Sequence, residues 1–170
     1  LYASSAAQEH IASKNHYFNP AKTLEDKLGF AGSNYECVQS IPQIVEYLGG
    51  DKLADAFAVI AEHESKLSKI LLDYLTSRED VTIHGSTSPD SAIRVPTISF
   101  SFKGRSSKEI VEEADKISNI GFRWGHFYSK RLCDEVLGLE PEAVIRVSAV
   151  HYNTEEEITG VVEVLKKIVG

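Results

Sequence analysis

An arginine stands in the middle of an apolar run, Val144-Ile145-Arg146-Val147-Ser148-Ala149-Val150, and the segment His151-Tyr152-Asn153-Thr154-Glu155-Glu156-Glu157-Ile158 follows at once. A guanidinium placed in an apolar strand is costly unless its charge is answered. It grips a carboxylate through two parallel hydrogen bonds. Arg146 therefore has three readings: a residue paired with an internal Asp or Glu, an outward-facing or structural arginine, or the clamp for a carboxylate ligand. The other reactive side chains are less organised. The six histidines are His10, His16, His63, His84, His126 and His151, and none forms an H-x-x-x-H pair. There is no C-x-x-C, G-x-S-x-G, P-loop or G-x-G-x-x-G. No metal ligand is assigned.

The elements that must carry Arg146 follow from periodicity. Residues Leu1 to Phe30 show little, with Asn15, Asn19-Pro20 and Gly29 as loop punctuation. Tyr35 to Tyr47 has helical spacing at Val38, Ile41, Ile44 and Val45, with Pro42 inside it as a kink or a start. Gly49-Gly50 ends that run, and Asp51 reads as the N-cap of a long helix over about Lys52 to Thr76. Its stripe is Leu53, Phe57, Ile60, Leu67, Leu71 and Leu75, and a helix of this length often bridges two domains. After Ser77 the texture changes. Val81-Thr82-Ile83-His84 and Thr97 to Phe102 read as strands. Ser106-x-x-Glu109 opens a helix, Gly121 to Gly125 is a short strand or turn, and Tyr128 to Leu137 reads as helical, stopped by Gly138 and Pro141. Val144 to Val150 is the clearest strand, and Thr154-x-x-Glu157 opens the last helix. The order β-β-α-β-α-β-α from about residue 80 predicts a small α+β layer of helices on a sheet.

Composition bounds the function. The 170 residues are 42% apolar and 25% charged, as in an ordinary globular protein. A net charge of -7 disfavours nucleic acid, and no run of about 18 apolar residues predicts a membrane span. Cys37 and Cys133 make no disulfide framework and suit a reducing, cytoplasmic setting. The chain starts at Leu1 without a signal peptide and contains no Met, the pattern of a processed, truncated or fragmentary chain.

The ending R-V-S-x-x-x-Y-N-T-x-x-E-I, from Arg146 to Ile158, resembles the C-terminus of class V pyridoxal-phosphate (PLP) enzymes of the aminotransferase and cysteine-desulfurase type. Other pieces match in order. Leu1-Tyr2 resembles the strand after the family's Schiff-base lysine, and Gly32-Ser33-Asn34-Tyr35-Glu36 resembles the loop that approaches the cofactor phosphate across a dimer interface. Arg94 to Phe100 resembles the lead-in to the small domain, and Gly121 to His126 the loop that reaches over the active site. The resemblance implies the C-terminal part of a fold type I, α/β transferase. Residues 1–76 would be the tail of the large PLP-binding domain with its interdomain helix, and 77–170 a small α+β domain. It implies PLP as cofactor, a small amino acid as substrate and a homodimer. Arg146, Arg123 and His126 would contact substrate, and Gly32, Ser33 and Asn34 the cofactor. The Schiff-base lysine is expected upstream of Leu1, so this chain alone is not expected to bind PLP covalently; Lys14 and Lys22 do not fit that role. Two departures matter. Tyr128 stands where a desulfurase has its cysteine, with Cys133 five residues on as a packed residue. Ala31-Gly32 replaces the usual Gly-Thr pair. The alternative function is a non-catalytic fragment or pseudoenzyme that keeps fold and interface; a third, an unrelated α+β interaction module, requires the ordered matches to be accidental.

Overall fold

The computed structural model describes the chain from Leu1 to Gly170 except residues 15, 16, 19, 30, 31 and 140–142. The loop punctuation expected at Asn15 and Asn19, the Ala31 half of the Ala31-Gly32 pair and the helix stop at Pro141 lie outside the described residues. The chain divides into two compact units, Leu1–Gly50 and Asp51–Gly170.

The first unit contains α1 (Ser5–Glu9), α2 (Leu24–Leu28) and α3 (Tyr35–Tyr47). Each begins on a side-chain cap, which satisfies donors a helix start leaves without partners. Ser4 caps α1, Thr23 and Asp26 form a reciprocal capping box on α2, and Asn34 caps α3. Pro42 lies inside α3 rather than at its start. None of the three helices buries a residue.

The second unit begins with a 3-10 turn, Gly50–Lys52, and α4 (Leu53–Thr76). Asp51 is part of that turn and does not cap α4; Lys52 occupies the cap position without a side-chain hydrogen bond. Leu67, Leu71, Leu72 and Leu75 of α4, the helix expected to join the two domains, belong to the same hydrophobic core as the sheet. The sheet holds β1 (Val81–Ile83), β2 (Thr97–Phe102), β3 (Arg123–Gly125) and β4 (Val144–Ser148) in the order β1-β2-β4-β3, all pairs antiparallel. With α5 (Ser107–Ile117) and α6 (Glu155–Val169) it follows the β-β-α-β-α-β-α order read from the sequence. The expected helix over Tyr128 to Leu137 is a short π-helical turn, Leu132–Val136, and the last strand ends at Ser148 rather than Val150.

Alternation along β2 and β4 divides the sheet into two faces. Ile98, Phe100, Phe102, Ile145 and Val147 are buried against helices, with Ile110 and Ala114 of α5 and Val161 and Leu165 of α6 in the same core. Ser106 caps α5, and Thr154 and Glu157 form the predicted capping box on α6. The opposite face carries Thr97, Ser99, Ser101, Arg146 and Ser148, none of them buried, and that face positions the site.

Candidate functional site

Arg146 is the register partner of Ser99 on β2 and of Arg123 on β3, so Ser99, Arg146 and Arg123 form one row across the polar face. Two like charges directly opposed on neighbouring strands repel. Arg123 is exposed, whereas Arg146 is half-buried. No ion pair of the described residues includes Arg146. Among the described residues no internal carboxylate answers its charge. Instead the guanidinium carbon lies 3.7 Å from the centroid of the Phe127 ring. A cation over an aromatic face contributes about 0.5–2 kcal/mol, and it leaves the guanidinium edge free to donate.

Phe127 reaches Arg146 through an unusual turn. Phe127 and Tyr128 have φ of 48° and 64°, and the Ser129 N–H donates to the His126 carbonyl at 2.8 Å. Positive φ at both central residues is the mark of a type I′ turn, normally built from Asn, Asp and Gly. Here two large aromatic residues hold it. Tyr128 points fully into solvent.

Beside Arg146 opens a cavity of about 390 Å³, with His84, Ser99, His126 and Phe127 among its walls and Leu132, Cys133, Leu137 and Val144 as its apolar side. His126 Nε2 faces Asp134 Oδ1 at 3.6 Å, and neither atom makes a hydrogen bond. Lys130 pairs with the other Asp134 oxygen. His84 Nε2 lies 3.0 Å from Ser101 Oγ, and burial pushes its imidazole pKa below the ordinary histidine value, which favours the neutral ring. Cys133 is buried at the cavity wall. Arg94 secures the preceding loop by donating to the carbonyls of Ser86, Val95 (3.3 Å) and Thr97 (2.7 Å).

The structure thus brings Arg146, Arg123 and His126 to one face of the second unit. Sequence reasoning missed His84 and Phe127. His84 could have been found as the residue continuing a strand into the Gly85 turn; the Phe127 contact has no signal in the sequence. Gly32, Ser33 and Asn34 belong to the first unit and are exposed. Asn34 Oδ1 accepts from the Cys37 N–H at 2.8 Å. That cap leaves its amide NH₂ and the N–H groups of Tyr35 and Glu36 available at the positive end of a 13-residue helix. With the Ser33 hydroxyl, these donors fit the phosphate of PLP, against the opposing charge of Glu36. Among the described residues no His, Cys, Asp or Glu cluster could hold a metal ion, and no helix is long and apolar enough to cross a membrane.

A family model described as aminotransferase class-V matches residues 43–161. The chain is 45% identical over 168 residues to the aminotransferase-like protein FGM3 of Gibberella zeae, covering 99% of this chain and 42% of that protein. It is 32% identical over 176 residues to the cysteine desulfurase-like protein ustD of Aspergillus flavus, covering 99% of this chain and 38% of the relative. The chain therefore spans less than half the length of these relatives. Its fold is similar to the cysteine desulfurase CsdA of Escherichia coli, with TM-score 0.68 at 18% identity over 92% of this chain and 36% of the other. It is also similar to the apo cysteine desulfurase of Thermococcus onnurineus, with TM-score 0.69 at 21% identity over 92% and 37%. The architecture is the C-terminal part of a fold type I transferase, and the chain belongs to the class-V aminotransferase family.

Proposed function

We propose that the chain is the C-terminal portion of a PLP-dependent class V enzyme acting on a small amino acid, in which Arg146 binds the substrate carboxylate. The observation that carries this reading is a half-buried guanidinium, opposed by Arg123 across the sheet and free of any carboxylate among the described residues. Such a site asks for an anion. When bound, PLP supplies the electron sink. The residues of this chain orient and select. Arg146 and Arg123 hold the carboxylate, His126 borders the cavity beside them, and the α3 N-terminus with Gly32, Ser33 and Asn34 holds the cofactor phosphate. In this reading residues 1–76 continue a large cofactor-binding domain, the cofactor-binding lysine is not one of the lysines in this chain, and the enzyme is a cytoplasmic homodimer. In this reading Tyr128 stands where a desulfurase has its thiol, and the usual persulfide route should be absent, since a phenol carries no sulfur.

The test is Arg146→Ala in the PLP-loaded protein that contains this chain, with L-alanine and ethylamine as paired probes. A desolvated charge pair is worth about 2–5 kcal/mol, so L-alanine affinity should fall at least about thirtyfold while ethylamine and PLP binding stay nearly constant. Arg146→Lys should restore only part, because an ammonium lacks the planar fork. Equal loss for both probes, together with a lower melting temperature, would make Arg146 a structural residue and sink the assignment.

A further inference from the structure

The geometry points to Phe127 as the positioning residue for Arg146: its ring fixes the guanidinium plane so that the edge, rather than the face, meets a carboxylate. This rests on the carboxylate reading of Arg146 and adds to it a residue that does not itself touch the ligand. Three observations converge. The Phe127 ring covers the guanidinium at 3.7 Å, a stacking distance that closes one face of the ion. Among the described residues Arg146 is in no ion pair, and its cation–π contact is with Phe127. The ring is delivered by a turn whose two central residues, Phe127 and Tyr128, both have positive φ, a conformation that costs an L-residue free energy and persists where the surroundings impose it.

The chemistry follows from the shape of the ion. A guanidinium donates only in its plane, so bidentate binding requires that plane to be held toward the ligand. A free arginine side chain rotates about several bonds, and each ligand would have to order it on binding. The stack supplies that order beforehand. Ser99, the neighbour of Arg146 in register on β2, lines the same cavity with its hydroxyl-bearing side chain. The comparison of Phe with Leu and Tyr at residue 127 then tests the ring rather than the backbone, because all three carry an unbranched Cβ and meet a similar penalty at φ of 48°.

Phe127→Leu and Phe127→Tyr separate ring from bulk, since both carry the same backbone cost. In the 170-residue chain, the Arg146 side-chain NMR resonances should show an upfield ring-current shift that Phe127→Leu removes and Phe127→Tyr retains. In the PLP-loaded protein, Phe127→Leu should weaken L-alanine binding about two- to thirtyfold and leave ethylamine binding unchanged, with Phe127→Tyr near wild type. A lost ring-current shift with unchanged L-alanine affinity overturns the positioning role while Arg146 remains the carboxylate clamp. Equal weakening of both probes by Phe127→Leu overturns it as well, by showing a general packing effect. If Arg146→Ala spares the preference for L-alanine over ethylamine, the carboxylate reading fails first and takes the positioning role with it.

Discussion

The two units of this chain contain amphipathic helices of similar sequence character and put them to different uses. In α3, Val38, Ile41, Ile44 and Val45 recur at helical spacing, yet all remain exposed at 42–57%. In α5, Ile110, Val111 and Ala114 recur at the same spacing and are buried to 4% or less. The difference lies in what each helix meets. α5 lies over a four-stranded sheet whose helix-facing side is apolar, whereas the first unit contains no strand among its described residues. A hydrophobic stripe stabilises only when another element covers it. Among its described residues the first unit therefore has helix caps without a buried core.

The largest effects that would break this contrast are core deletions. Phe100→Ala removes a fully buried ring from the sheet and should cost about 3–5 kcal/mol, read as a loss of denaturation midpoint. Ile41→Ala in α3 removes an exposed side chain and should change stability by less than about 0.5 kcal/mol. Hydrogen exchange should follow the same division, with Val144 to Ser148 protected far more than residues 1–50. Comparable costs for the two substitutions, or comparable protection, would mean that the first unit has a core of its own.

A smaller effect sharpens how the second unit is closed. Arg78 pairs with Asp80 at 2.7 Å, donates to the carbonyls of Val169 and Gly170 at the end of α6, and lies over the rings of Tyr74 and Phe102. A cation at a helix C-terminus with charge-assisted bonds is favourable, so Arg78→Ala should lower stability by about 1–3 kcal/mol. The pair also imposes a pH dependence. The Arg78 hydrogen bond is the first cause that holds the Asp80 carboxyl below the usual carboxylate range. A depressed folded-state pKa gives stability that is present above the unfolded value, about 3.9, and is lost as pH falls through the folded value. Asp80→Asn should flatten the acid limb of the stability profile below about pH 4; an unchanged limb would show that this carboxylate is not linked to folding.

The sequence made the second unit legible because its elements follow period and punctuation. The alternation of Thr97 to Phe102, the Thr154–Glu157 box and the apolar run around Arg146 each specify one local structure, and they agree with one another. The boundary at residue 77 was read from a change of texture, while the core reaches back to Leu67 through long-range packing that periodicity does not encode. Asp51 has the right chemistry for an N-cap, but the preceding 3-10 turn moves the helix start past it. Arg146 was legible as a charge needing an answer. That Phe127 supplies it was not, since a type I′ turn of Phe and Tyr carries none of the Asn-Gly signature by which such turns are recognised.

That turn is also where the well-packed unit departs from its own economy of strain. Among the described residues, Phe127 and Tyr128 are the non-glycine residues with positive φ. Phe127 has a contact that offsets the cost, its stack on Arg146. Tyr128 has none that burial would reveal, because its side chain is fully exposed. Replacing it by glycine removes the Cβ that makes the left-handed region unfavourable and sacrifices no packing. The gain is partly offset by the greater freedom of glycine in the unfolded chain, so Tyr128→Gly should raise stability by roughly 0.5–1 kcal/mol, the one effect of positive sign among these predictions. The same variant should keep the ring-current shift at Arg146, because Phe127 remains in place. A loss of stability in Tyr128→Gly would mean that the exposed phenol makes a stabilising contact in solution. Loss of the Arg146 shift with stability retained would show that the rigidity of a non-glycine residue at 128, rather than the turn geometry alone, keeps Phe127 on the guanidinium.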